Sequence, residues 1–184
     1  MSDSKIIITG TGRCGTTFLM LIYSYLKEDT GYKRDPERHL YKNCNSGLEK
    51  GIRESYRIIK SPFLLTQLRE EMEKEEIKIK HILIPIREFQ QCAESRERHK
   101  KYAGGLIGEC QNAEQQLRYD YRAFSEFMYY CTLKEIPFTL INFIKMVESP
   151  YYLYEKIKQT FSKEITLQEF KQAFDKATEQ QKKT

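Results

Sequence analysis

No apolar stretch in this sequence is long enough to cross a bilayer. Runs such as 18–22 and 82–86 fall far short of the roughly 20 residues that a spanning helix needs, so no membrane span is expected. Cys-x-x-Cys pairs are also missing. The five cysteines, Cys14, Cys44, Cys92, Cys110 and Cys131, are odd in number and scattered. That is the pattern of free thiols in a reducing compartment, and it argues against a disulfide scaffold or a structural zinc site. The opening Met-Ser-Asp-Ser-Lys leads into β-branched residues without the apolar core of a secretion signal, so a cytoplasmic protein is expected. A strong charge of one sign is lacking too. With 31 Lys and Arg against 26 Asp and Glu, the net charge is +5. This suits an anionic small ligand and is too dilute for nucleic acid without a concentrated patch. There is no internal repeat and no low-complexity tract.

What is present suffices for a packed core. The chain has 184 residues, 40% of them hydrophobic, the size of one domain spanning 1–184. Residues 5–9, 56–60, 80–86 and 138–143 read as strands. Pro85 inside the third places it at an edge or at a strand end. Helical spacing marks 16–27, 63–74, 89–102, 113–134, 151–161 and 167–177. In the long helix, Leu117, Tyr121, Phe124, Met128 and Cys131 fall near one face. The last helix carries Thr166 and Glu169 at capping-box distance, and residues 180–184 are expected to fray. Residues 28–53 are polar and aperiodic and read as a long loop with a short helix; loops of that length are often functional. The alternation of strands and helices predicts an α/β fold, P-loop-like, with a mostly parallel sheet of four to five strands flanked by helices.

The first loop carries the chemistry. Gly10-Thr11-Gly12-Arg13-Cys14-Gly15-Thr16-Thr17 joins a strand to a helix. Such a turn gathers backbone N–H groups at a helix N-terminus, where an anion is favoured. Gly10 and Gly15 have P-loop spacing, but Thr16 stands where a nucleotide P-loop needs Lys. The cation sits inside the loop instead, at Arg13. A dinucleotide fingerprint also matches, without a clearly placed acidic partner. A cysteine phosphatase would need Arg six residues after Cys14, where Met20 stands.

Arg13-Cys14-Gly15-Thr16-Thr17 after a strand resembles the 5′-phosphosulfate loop of sulfotransferases that use 3′-phosphoadenylyl sulfate (PAPS). Arg87 closing the run Ile82-Leu83-Ile84-Pro85-Ile86, with Ser95 eight residues on, is similar to that family's 3′-phosphate site. Ile58-Ile59-Lys60-Ser61-Pro62 is similar to the strand-Lys-x-Pro segment of many carbohydrate sulfotransferases. The sequence departs from the family in Cys14 for the usual Ser, in Glu88-Phe89 for the common Asp-Pro, and in having no Gly after Gly108. The resemblance, over about residues 5–150, implies a P-loop-like fold and transfer of a sulfuryl group from PAPS to a hydroxyl or amine, on a small-molecule or carbohydrate acceptor. Adenosine 3′,5′-bisphosphate would be the product, and no metal would be required. It implies that Gly12, Arg13, Cys14, Gly15, Thr16 and Thr17 hold the 5′-phosphate, with Arg13 bridging to the sulfuryl group. Arg87 and Ser95 would hold the 3′-phosphate, and Lys60 would contact the group in transfer. The base would come from the long loop, where Asp35, Glu37 and His39 fall; His39 has the pKa nearest neutrality. Tyr151, Tyr152 and Tyr154 are candidates for stacking on adenine or a sugar. A divergent P-loop nucleotide or nucleoside kinase, or a non-catalytic nucleotide-binding module of the same fold, are the rival readings.

Overall fold

A computed structural model describes residues 4–41, 44–74, 77–99 and 104–183. Four strands, β1 (Lys5–Ile8), β2 (Ile58–Lys60), β3 (Ile79–Ile86) and β4 (Phe138–Asn142), form one all-parallel sheet in the order β2-β1-β3-β4. Central parallel strands are covered on both faces, which is why β1 is an unbroken isoleucine run, buried throughout. Side chains alternate across it. Ile6 and Ile8 enter a core with helices α1 (Thr16–Tyr25), α6 (Pro150–Ile157) and α7 (Leu167–Lys182). Ile7 enters the opposite core with α2 (Leu64–Lys74) and α4 (Ala113–Leu133). Helix α3 (Phe89–Arg98) packs on α4, and α5 (Phe143–Glu148) follows β4 directly.

The strand order places the site. From β1 the chain steps outward to β2, then returns across β1 to β3. The crevice above the C-terminal ends of β1 and β3 is therefore a topological switch point, where open α/β sheets bind ligands. The loop after β1 and Arg87 after β3 both emerge there.

Of the two places expected for Pro85 it takes the strand end: it is the penultimate residue of β3, opposite Ile141 of β4. It is tolerated because Leu83 turns its backbone toward β1, so Pro85, two residues on, faces the same side beyond the end of β1 at Ile8, and no ladder bond is lost. Helix α5 was not foreseen: Asn142 ends β4 and caps α5 at once, its Oδ1 accepting from the Lys145 N–H at 3.0 Å. Ser149 then caps α6, with Pro150 at its first position. The buried face of α4 is Gln116, Asp120, Ala123, Phe127 and Cys131, turned one position from the expected stripe; Tyr121 is 56% exposed. The capping box at Thr166 and Glu169 is present, and α7 continues to Lys182. The long loop holds a 3₁₀ turn at Pro36–His39 and one bridge between Leu40 and Gly47. Residues 100–102 of the expected third helix, with Lys100 and Lys101 of its basic run, lie outside the described residues. No described helix is long and apolar enough to cross a membrane.

Candidate functional site

A cavity of about 630 Å³ opens at the switch point, within the range of small-molecule sites. Its floor is the loop after β1. Gly12 (φ +75°) and Gly15 (φ +97°) adopt left-handed conformations that cost glycine nothing. Close approach matters as much. A Cβ on Gly12 would lie 2.0 Å from Nη2 of Arg96, and one on Gly15 would lie 2.5 Å from Cε of Met146. Between them Arg13 also takes a left-handed φ of +55°. Gly15 caps α1 without a side-chain hydrogen bond, so the first N–H groups of α1 lack intrahelical acceptors. Gly15, Thr16 and Thr17 line the cavity beside them.

Cations surround this floor. Arg87 lines the cavity from the end of β3. Its Nη1 donates to the Arg13 carbonyl at 3.3 Å, its Nε to Gln91 Oε1 at 3.1 Å, and its guanidinium lies 5.0 Å from the Phe143 ring centre. Arg13 turns toward α3. Its Nε donates to Ser95 Oγ at 3.2 Å, its Nη2 lies 3.4 Å from Nε2 of His99, and its buried Nη1 has no partner among the described residues. An unmet buried donor costs about 1–3 kcal/mol, which a ligand oxygen would recover. Burial lowers the Arg13 pKa below the ordinary guanidinium value. Burial, with the charges of Arg13 and Arg98, likewise lowers that of His99.

The loop and the strand-end arginine thus share one cavity, and Ser95 joins them through Arg13. Ser95 itself is buried and not part of the cavity wall. The expected reach of Arg13 toward the transferred group is corrected: its side chain is committed to α3, on the Arg87 flank. Cys14 is also placed differently. Its side chain is fully buried beneath the loop, and burial pushes the thiol pKa up.

On the opposite flank, at the end of β2, stands Lys60. It is 1% exposed, and its Nζ donates to Gly47 O and to the Glu49 carboxylate, each at 2.5 Å. Burial lowers its pKa, and Glu49 partly opposes the shift. Glu49 lines the cavity and comes from the long loop. His39 does not reach the site: it is exposed and packs on Tyr32 at 4.9 Å. Asp35 and Glu37 are exposed and outside the cavity wall. The expected stacking role of the three tyrosines of α6 is not supported by their positions either. Tyr151 is exposed, the Tyr152 hydroxyl accepts from the Asn142 N–H, and Tyr154 packs among Phe161 and Phe170. Among the described residues the aromatic rings at the cavity are instead those of Tyr41, Phe63 and Phe143.

Arg96 was missed as an individual residue. It is 3% exposed and lines the cavity from below the loop. The sequence held a signal for it: Phe89, Cys92, Ala93 and Arg96 recur at helical spacing, which puts the arginine on the buried face of α3. Among the described residues, no cluster of His, Cys, Asp and Glu could hold a metal ion. Comparison with protein-family models and with curated proteins gives no match.

Proposed function

We propose that the cavity binds 3′-phosphoadenylyl sulfate and that the protein is a sulfotransferase. One observation carries the reading: the loop after β1 and Arg87 after β3 line the same cavity, so one nucleotide with two phosphate groups can be gripped at both. The residues present fit such a ligand. The glycine turn allows close approach of an anion, the start of α1 offers N–H groups to a 5′-phosphate, and Arg13 has an unmet donor beside Arg87.

The donor supplies an activated sulfuryl group. This chain's residues bind, orient and stabilise charge, the work that dominates phosphoryl transfer as well. Gly12 to Thr17 hold the 5′-phosphate. Arg87 and Arg13 hold the 3′-phosphate, with Ser95 fixing the Arg13 side chain. Because β2 and β3 flank β1 on opposite sides, Lys60 lies on the side of the loop away from Arg87, next to the group in transfer. The acceptor oxygen or nitrogen bonds to sulfur as the bond from sulfur to the leaving phosphate oxygen breaks. Lys60 stabilises the charge that develops on that oxygen, and Glu49 takes the acceptor proton.

A thermal-shift comparison tests the reading. Adenosine 3′,5′-bisphosphate at millimolar concentration raises the melting temperature by several degrees and ATP with Mg²⁺ does so far less, whereas Arg13→Ala removes the effect of the bisphosphate. A larger shift with ATP and Mg²⁺ would favour the kinase. Bisphosphate binding with no transfer of labelled sulfate to a broad acceptor panel would leave a non-catalytic binding module.

A further inference from the structure

Two buried ionisable groups meet beneath the loop after β1. Arg96 comes from α3. Its Nε and Nη2 both donate to the Thr11 carbonyl, at 3.0 and 2.8 Å, and its Nη1 donates to the Gly105 carbonyl at 2.6 Å. Among the described residues its acceptors are neutral carbonyls, so no contact there cancels its positive charge. Asp120 comes from α4 and is 1% exposed. Its Oδ1 accepts from Gln116 Nε2 at 2.9 Å, while its buried Oδ2 has no partner among the described residues. Asp120 shares a small pocket with Gly10 and with Thr11, whose carbonyl holds Arg96, and no ion pair joins Arg96 and Asp120 among the described residues. Gln116 links the acid to the cavity wall as well, because its Oε1 accepts from the Ile107 N–H at 2.8 Å.

We propose that Asp120 is a positioning residue that tunes the anion affinity of the loop: ionised, it offsets the charge of Arg96, and protonated, it leaves that charge to the bound anion. The proposal rests on the anion-cradle reading of the cavity. The groups that act on Asp120 are Arg96 and Cys92 from α3, Cys110 from the segment before α4, and Gln116 from α4 itself. Burial pushes the carboxyl up to about 6, against the opposing influence of Gln116 and Arg96. The Cys92 thiol is pushed up to about 12 by burial and stays neutral, and the Cys110 thiol is raised too. Arg96 is therefore the charged partner that matters. An anion in the cavity adds negative charge nearby and disfavours the carboxylate, so binding takes up a proton and affinity rises as pH falls through the range 7 to 6. A rise of one pKa unit on binding corresponds to at most about tenfold in affinity.

The test compares the wild type with Asp120→Asn, which keeps the acceptor for Gln116 and cannot ionise. The probes are adenosine 3′,5′-bisphosphate and inorganic sulfate, whose charge is fixed across the range. Dissociation constants are measured from pH 5.5 to 8. His99 beside Arg13, and the phosphates of the nucleotide, titrate in both proteins, so the difference between the two curves is what counts. The wild type gains about five- to tenfold more affinity between pH 8 and 5.5 than Asp120→Asn does, and the variant binds more tightly at pH 8. Parallel curves overturn the proposal while leaving the anion site intact. If neither probe binds the wild type at any pH, the functional reading fails and the proposal falls with it. Should Asp120→Asn not fold, calorimetry on His99→Gln with sulfate at pH 6.5, in two buffers of different ionisation heat, decides the matter. Uptake of a fraction of a proton supports the proposal, and no uptake overturns it.

Discussion

Gly12→Ala unfolds more readily than wild type by about 3 kcal/mol or more and loses bisphosphate binding. The loss has two sources. The residue sits at φ +75°, which costs an L-residue of order 1–3 kcal/mol. Its new Cβ would also lie 2.0 Å from Nη2 and 2.7 Å from Cζ of Arg96. A flexible surface side chain would swing away from such a clash. Arg96 cannot, because three donor contacts tie its guanidinium to Thr11 and Gly105 and it is nearly fully buried. Either the loop moves or those bonds break, and each route spoils the floor of the cavity. Gly51→Ala is the control: the nearest atom to a Cβ there is Glu54 Oε1, at 3.7 Å, so its stability changes by less than about 0.5 kcal/mol. Urea denaturation of the two variants beside the wild type measures both. Equal stability of Gly12→Ala and wild type would contradict the geometry of the loop.

Glu49→Gln destabilises the protein by about 3 kcal/mol at pH 7, the cost of leaving buried Lys60 without its counter-charge. The pH dependence identifies the cause. Burial already holds the folded-state pKa of Lys60 below its ordinary value, and Glu49 is the largest influence in the other direction. Without that carboxylate the folded pKa falls further below the unfolded one. The cost of keeping the proton is then complete below the folded pKa and disappears as pH rises toward the unfolded value near about 10.4. The gap between variant and wild type is therefore large at pH 7 and narrower at pH 9.5. Adding Lys60→Met to Glu49→Gln recovers stability, since no buried charge is left. The same double variant transfers no sulfate at a measurable rate. A gap unchanged between pH 7 and pH 9.5 would contradict a buried, charged Lys60.

The strands, the loop after β1 and the strand-end position of Arg87 were legible because they follow from local rules. Isoleucine runs bounded by glycine and proline make buried strands. Gly12 and Gly15 stand where a tight turn needs left-handed backbone. The parts that were not legible depend on tertiary packing. Arg96 was not singled out within the helix expected over 89–102, although its spacing from Phe89 placed it on the buried face of α3. The face of α4 was misplaced because polar Gln116 and Asp120 are buried there to serve the loop region, and hydrophobic periodicity finds apolar stripes only. Glu49 differed from Asp35, Glu37 and His39 in no sequence property. It reaches the cavity because the chain near Gly47 folds over the end of β2, where the Lys50 N–H donates to the Lys60 carbonyl at 3.0 Å. Helix α5 was missed because no turn separates it from β4.

Calorimetric titration with adenosine 3′,5′-bisphosphate and with adenosine 5′-monophosphate, on wild type and on Arg87→Ala, measures whether two distant phosphate groups are held at once. Two charge-assisted contacts to a buried phosphate are together worth about 3 kcal/mol, so the wild type prefers the bisphosphate by about a hundredfold. Arg87→Ala leaves the Arg13 contact, reduces that preference to about tenfold, and leaves the affinity for the monophosphate nearly unchanged. A preference undiminished by the loss of Arg87, or a wild type that does not distinguish the two nucleotides, would contradict the account.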